Sequence, residues 1–236
     1  MINKEKLCAQ AAEIGIELDE TALERLDKYA EYLVEVNKSV NLTRITEPED
    51  IAVKHFLDSM TLLTAYEVPQ NAAVADVGTG AGFPGMVLKI CRPDIDLTLI
   101  DSLGKRLDFL DKLCDLLSLP CETVHLRAEE AGRNPAHREQ YDLVTARAVA
   151  AMNVLTEYCV PLVKTGGAFV AMKGPSGEEE TAAAQNAISL TGGRLKEIKK
   201  LTLPDESERQ LIIVEKAAPT PEKYPRHGGK IAKQAL

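Results

Sequence analysis

Val74-Ala75-Asp76-Val77-Gly78-Thr79-Gly80-Ala81-Gly82-Phe83-Pro84-Gly85 decides the fold. A short apolar run ends in an acid and passes straight into glycines at alternate positions, after which Met86-Val87-Leu88-Lys89-Ile90 can continue as a helix. Strand, glycine-rich turn and helix in that order open a nucleotide-type binding site in an α/β domain. Glycine takes positive φ and, lacking a Cβ, lets the backbone press against a ligand. The start of the following helix adds N–H groups that have no partner inside the helix.

Working outward, short apolar strands alternate with helical stretches from Ala72 onward, which predicts a parallel sheet with crossover helices. Strands are expected at 73–77, 96–100, 123–126, 141–147 and 168–172, with helices at 103–119, 149–163 and 178–190. Two further strands, near 194–203 and 209–215, have only the turn Pro204-Asp205-Glu206-Ser207 between them and form a hairpin. Residues 1–70 read as a helical extension. Leu23, Leu26, Ala30 and Leu33 recur at helical steps after a cap at Asp19 or Thr21, and Ile51, His55, Phe56, Met60 and Leu63 make a second amphipathic face after Pro48. The expected division is an extension at 1–70, the α/β domain at 71–217 and a basic tail at 218–236.

The chain has 236 residues, 45% of them hydrophobic, enough for one large α/β domain with a real core. The net charge of −8 makes the whole molecule no general polyanion binder, yet Lys223-Tyr224-Pro225-Arg226-His227-Gly228-Gly229-Lys230-Ile231-Ala232-Lys233 is basic and acid-free. That stretch suits a flexible arm on a phosphate backbone, or equally a solvated tail. The five cysteines form no C-x-x-C, so neither a disulfide framework nor a zinc site is expected and a reduced cytoplasm fits. No apolar run is long enough for a secretory signal or a membrane span. No metal and no membrane contact are expected, and a monomer is.

Two ligand readings overlap on the glycines. Gly80-Ala81-Gly82-Phe83-Pro84-Gly85 fits the dinucleotide pattern G-x-G-x-x-G, whereas Asp76-Val77-Gly78-Thr79-Gly80-Ala81-Gly82 resembles the D-x-G-x-G-x-G turn of class I methyltransferases. A carboxylate at Asp76 suits a cationic amino-acid cofactor and would repel a pyrophosphate, while Pro84 withholds an N–H from the dinucleotide triplet. The closing hairpin is how a methyltransferase sheet ends. Asp101, at the end of the second strand, can accept both hydroxyls of a ribose in either kind of enzyme, or simply cap a helix. Ala128-Glu129 follows the third strand at the same sheet edge, beside an adenine or in plain solvent. Arg147 ends the fourth strand, beside the methyl group and its acceptor or in an ordinary ion pair. That strand end reads Thr145-Ala146-Arg147-Ala148, without the [DNS]-P-P-[YFW] turn used on exocyclic amines. Cys159 lies in a helix without the motif of a carbon-5 nucleophile, and no histidine is paired with an acid in sequence, although His55 and Asp58 are three apart on a helix. An acceptor needing little activation is therefore permitted. Guanine N7 is one, since its lone pair is already nucleophilic and carries no proton.

Taken together, Asn41-Leu42-Thr43, His55-Phe56-Leu57-Asp58-Ser59, the glycine turn, Asp101-Ser102 with Lys105-Arg106, Arg127-Ala128-Glu129-Glu130, Thr145-Ala146-Arg147-Ala148, Met172-Lys173-Gly174 and Lys223-Tyr224-Pro225-Arg226 resemble one family over nearly the whole chain. It is that of the bacterial small-subunit rRNA guanine-N7 methyltransferases, also called glucose-inhibited division protein B. The resemblance implies an α/β fold of the class I S-adenosylmethionine-dependent kind: Rossmann-like, seven strands mostly parallel with a terminal antiparallel hairpin, plus an N-terminal helical extension. It implies methyl transfer from S-adenosyl-L-methionine to N7 of one guanine in the helix 18 loop of 16S rRNA, free or in the small ribosomal subunit. Cofactor contacts are implied at Gly78, Phe83, Ala128, Glu129 and Arg147, beside Asp76, Gly80, Gly82 and Asp101 from the reading above. Arg147 and Lys173 are the expected residues for orienting the RNA, with no catalytic base. The tail departs from the family in its diluted basic charge. The competing expectations are an NAD-dependent oxidoreductase using Gly80, Gly82 and Gly85, and a non-catalytic ribosome- or RNA-binding protein that keeps the fold.

Overall fold

The structure, a computed structural model, describes residues 1–236. The chain enters through α1 (Lys4–Glu13) and α2 (Glu20–Val40). Asp19 opens α2, its carboxylate accepting the Ala22 N–H at 2.7 Å and so satisfying one of the donors a helix start leaves over. The helix buries Ala22, Leu26, Tyr29, Ala30 and Leu33 along one stripe and stops at Asn41 in the left-handed region, φ 54°. Asn37 then ties down the exit: its Oδ1 accepts the N–H groups of Leu42 and Thr43, and its Nδ2 donates to the Thr43 carbonyl. A turn of helix, α3 (Pro48–Asp50), runs into a π-helical segment, Ile51–Leu57, and on into α4 (Asp58–Ala65). The expected amphipathic α-helix is thus widened over seven residues, a distortion that in helices commonly marks a functional site.

The sheet follows in the expected rhythm. In chain order come β1 (Ala73–Val77), α5 (Gly85–Cys91), β2 (Asp96–Asp101), α6 (Gly104–Leu117), β3 (Glu122–His125), α7 (Ala128–Ala131), β4 (Tyr141–Arg147) and α8 (Met152–Cys159). A 3-10 turn, Val160–Leu162, leads into β5 (Val163–Lys173), then α9 (Gly177–Ala183), α10 (Gln185–Leu190), β6 (Gly193–Thr202), β7 (Glu208–Lys216) and α11 (Gly228–Lys233). The strand order is β3-β2-β1-β4-β5-β7-β6, with β7 antiparallel to both neighbours and the rest parallel. Strand order reverses between β1 and β4, and ligands of open α/β sheets bind at the carboxyl ends of the strands at such a point.

Three expectations change. β5 begins at Val163, where a helix to 163 and a strand only from 168 were expected; Gly167 packs where a Cβ would lie 2.6 Å from the Asp142 carbonyl oxygen, which brings the two strands together. The helix expected at 178–190 is divided at Ala184. Above all, the C-terminal stretch is no free arm. Tyr224 and Ile231 are buried, and Arg226 pairs with the fully buried carboxylate of Glu157 at 2.6 Å. Arg133 and Arg138 donate to the carbonyls of Pro225 and Tyr224 at 2.7 and 2.8 Å.

Apolar residues cover both sheet faces. On one, Leu7, Leu26, Tyr29, Leu33, Phe56 and Met60 of the N-terminal helices share a continuous core with Val74, Leu97 and Leu99 of the sheet. On the other, Val77, Ile100 and Val144 pack against Leu155, Val160 and Ile188. No helix is long and apolar enough to cross a membrane. The glycine turn lies against the first face. Gly82 has φ +96°, and a Cβ there would lie 2.7 Å from Tyr29 Oη and 2.9 Å from Leu110 and Met86. Strain and overpacking both act on this position. Gly82→Ala should lower unfolding free energy by about 2–4 kcal/mol, read as a lower urea midpoint at unchanged slope.

Candidate functional site

The carboxyl ends of β1, β2 and β3 surround a cavity of about 300 Å³, lined among others by Gly78, Asp101, Arg106, Ala128, Glu129 and Val149. Its floor is the glycine turn, held by the N–H groups of Gly78 and Thr79 on the Ile100 carbonyl at 2.8 and 3.2 Å. Gly78 has φ +68°, and a Cβ would lie 2.7 Å from Val149 Cγ2, so only glycine lets backbone form the wall. Asp101 is 2% exposed. Its Oδ2 accepts the Gly80 N–H at 2.9 Å and faces Arg106 at 3.2 Å, and its Oδ1 accepts the Leu103 N–H at 2.9 Å. Those bonds aim the carboxylate and leave lone pairs for a ligand's hydroxyls. A carboxylate on β2, a second acid on α7 and a backbone wall, in a space of this size, fit a nucleoside.

Asp76 lies beneath the turn. It is wholly buried; Oδ2 accepts the Thr79 hydroxyl at 2.7 Å and the Gly85 N–H at 2.9 Å, while Oδ1 has no partner. Burial pushes its carboxyl up to about 6, against the pull of those two bonds and of Arg147. A Cβ on Gly85 would lie 2.8 Å from Asp76 Oδ2. Gly85 thus makes room for an acid and not for a pyrophosphate. Gly82 faces the core, and Phe83 is stacked between Tyr29 (centroids 5.1 Å apart) and His55 (4.2 Å). Of the expected cofactor residues, the structure brings Gly78, Asp101, Ala128 and Glu129 to this cavity, while Asp76, Gly80, Gly82, Phe83 and Arg147 are not among its lining residues.

A second cavity, about 440 Å³, is lined by Lys54, His55, Asp58, Arg147, Lys173 and Arg209, among others, and meets the first at Ala148, which lines both. Ala148 is itself in the left-handed region, φ 57°, an unusual state for a residue with a Cβ. Arg147 stands at the centre. It donates to Asp58 Oδ2 at 2.8 Å and the Lys54 carbonyl at 3.1 Å, and lies 5.1 Å from the Phe83 ring centroid. Arg209 donates to the other oxygen of Asp58 at 2.9 Å. A guanidinium only donates, so at 3.1 Å from Arg147 Nη2 the His55 Nδ1 accepts, which puts the ring proton on Nε2, facing Thr43 Oγ1 at 2.9 Å. Burial, then the Arg147 charge, hold His55 down to about 3. It is neutral and fully engaged. Lys173 reaches the same cavity with its ammonium on the Ala150 carbonyl at 2.7 Å and Glu180 at 2.6 Å. Arg147 and Lys173 are therefore both paired cations. Cys159 is buried, which raises its thiol well above the usual range and leaves no nucleophile there. The reading of the sequence gave Arg209 no role, and named Thr43, His55 and Asp58 only in segments shared with the family and, for the last two, as near neighbours on a helix. Their spacing on one helix, opposite an arginine at a strand end, was the available signal.

The sequence pattern of the family described as rRNA small subunit methyltransferase G matches residues 22–212. A relative in Lactobacillus johnsonii, "Ribosomal RNA small subunit methyltransferase G", is 48% identical, with 100% of each chain covered. One of the same name in Listeria monocytogenes is 46% identical, covering 97% of each. Among solved structures, the precorrin-6y C5,15-methyltransferase of Geobacter metallireducens superposes with a TM-score of 0.52 at 14% identity, over 73% of this chain and 90% of that one. A SAM-dependent O-methyltransferase of Thermotoga maritima gives 0.52 at 12% identity, over 80% and 73%. The fold is that of the class I methyltransferases.

Two buried groups set opposing pH dependences. His55 takes up its proton in the unfolded chain near 6.5 but only near 3 when folded. It contributes stability that is present above 6.5 and lost as pH falls toward 3. Asp76, raised to about 6, works the other way: its contribution is present below 3.8 and lost as pH rises through 6. His55→Asn should remove the first slope alone. Between pH 7 and pH 5 it should spare the protein about 2 kcal/mol of acid destabilisation relative to the parent, measured by urea unfolding at each pH.

Proposed function

Because the chain belongs to the rRNA small subunit methyltransferase G family, we propose that it transfers a methyl group from S-adenosyl-L-methionine to N7 of one guanine in the helix 18 loop of 16S rRNA. The observation that carries this reading is the pair of cavities that meet at Ala148 on the carboxyl edge of the sheet. When bound, S-adenosylmethionine supplies an electrophilic methyl on a sulfonium. In the first cavity Asp101 would hold the ribose, and Ala128 with Glu129 would border the adenine. Gly78 and Gly80 offer backbone to the methionine end. Asp76, with its unpartnered Oδ1, supplies negative charge beneath it.

The second cavity would take the guanine. Nothing there is free to act as a base, since His55 is neutral with both nitrogens engaged. N7 needs none, because its lone pair attacks directly. Catalysis then rests on alignment, an effect worth up to about 7–11 kcal/mol. Arg147, locked by Asp58, His55 and Phe83, provides a fixed edge at the junction of the cavities. Lys54 and Arg209, which also line it, suit phosphates of the RNA, and Lys173 keeps the loop after β5 in place through Glu180. The small ribosomal subunit is the proposed partner, a monomer the acting form and the cytoplasm its place.

Small subunits purified from cells lacking the gene, incubated with the protein and radiolabelled S-adenosylmethionine, should acquire one label. Borohydride and aniline treatment should then cut the rRNA once, in the helix 18 loop. Label elsewhere would sink the proposed site. Asp101→Ala should weaken binding of S-adenosylhomocysteine about 10- to 100-fold by calorimetry, and an unchanged affinity would remove Asp101 from the ribose site.

A further inference from the structure

The C-terminal stretch is fastened at several points around one short helix, α7, whose first two residues wall the nucleoside cavity. Glu157, fully buried on α8, accepts the Arg226 N–H at 2.7 Å and pairs with its guanidinium. Arg133, just beyond α7, holds the Pro225 carbonyl at 2.7 Å. Pro225 in turn lies on Gly132, where a Cβ would come 3.0 Å from Pro225 Cγ. The segment then crosses to the other end of α7 and brings Gly228 against Glu129. A Cβ on Gly228 would lie 2.8 Å from Glu129 Cδ and closer still to Oε1, whereas one on Gly229 would meet nothing within 4 Å. Adjacent glycines of the same helix therefore differ completely. The φ of Gly228 is not in the left-handed region, so a side chain there would strain no backbone and would instead displace the end of the Glu129 side chain.

Glu129 is 8% exposed and lines the cavity beside Arg127 and Tyr158. With the tail docked on one side, the open side available to a displaced carboxylate is the cavity itself. From this we infer that the C-terminal segment backs the wall of the cofactor site from outside, Gly228 leaving the space that the Glu129 carboxylate occupies and so setting how that carboxylate faces the adenine. The inference rests on the methyl-donor reading proposed above. It gives Gly228 the part of a positioning residue acting through Glu129, which itself lines the cavity. The buried Arg226–Glu157 pair is then the fastening that keeps an otherwise polar, weakly apolar stretch in place.

The test uses the complete chain and S-adenosylhomocysteine, by calorimetry. Gly228→Ala should raise Kd about tenfold, and Gly229→Ala less than about twofold. In a Glu129→Ala background, Gly228→Ala should add nothing, because the residue it acts through is gone; additive losses would make the tail a merely structural support and overturn the inference. Equal losses for Gly228→Ala and Gly229→Ala would overturn it as well, and so would a Gly228→Ala affinity equal to the parent's. In that last case the parent's own binding keeps the methyl-donor reading intact, whereas a parent chain that binds no S-adenosylhomocysteine would overturn both.

Discussion

Arg147 is a cation that this fold must bury, and most of the site's architecture answers to that requirement. A guanidinium taken out of water is costly unless its charge is balanced and its donors are met. Here the counter-charge, the acceptor ring and one carbonyl all come from residues 54–58, in the widened stretch of helix and the first turn after it. The flat face is covered by Phe83 of the glycine turn, which is itself clasped between Tyr29 and His55. One charge at the end of β4 thus binds the N-terminal helices, the glycine turn and the sheet into a single arrangement. The N-terminal helices complete the site from the side where a bare sheet would leave Arg147 in water. Asp58, shared between two arginines, extends the same bracing to β7.

Much of this was legible in the chain. Strand positions in the parallel half followed from apolar runs that end in Asp76, Asp101 and Arg147, because a strand buried on both faces admits polar side chains chiefly at its tips. The closing hairpin followed from a turn between two apolar runs with no room for a helix. The limits have physical causes. The extra residues of β5, Lys164-Thr165-Gly166-Gly167, carry turn composition and join the strand through a close backbone approach that only the partner strand reveals. The π-helical stretch has the apolar pattern of an ordinary helix, which carries no sign of the widening. The tail looked solvated because its fastenings are carbonyls and arginines on other elements, which leave no periodicity behind.

The glycines carry a related lesson. Four fall between residues 78 and 85, yet three of them answer to different neighbours. Gly78 faces a ligand cavity, Gly82 a tyrosine and two apolar side chains of the core, and Gly85 the carboxylate of Asp76. A motif read as a single ligand-binding device is, in three dimensions, a ligand wall resting on two packing constraints. This is why a dinucleotide pattern can occur in the chain without a dinucleotide site.

Ala148 lines both cavities and carries the smallest side chain an L-residue can have, in a backbone conformation few side chains tolerate. The two spaces therefore share this residue in their partition. A single molecule carrying a nucleoside at one end and a purine at the other could lie across that partition with a linker of only a few atoms. Such a bridging inhibitor would draw on both recognition surfaces at once. Residue 148 would bear on whether it fits, since a branched side chain there would take space at the edge that both cavities share.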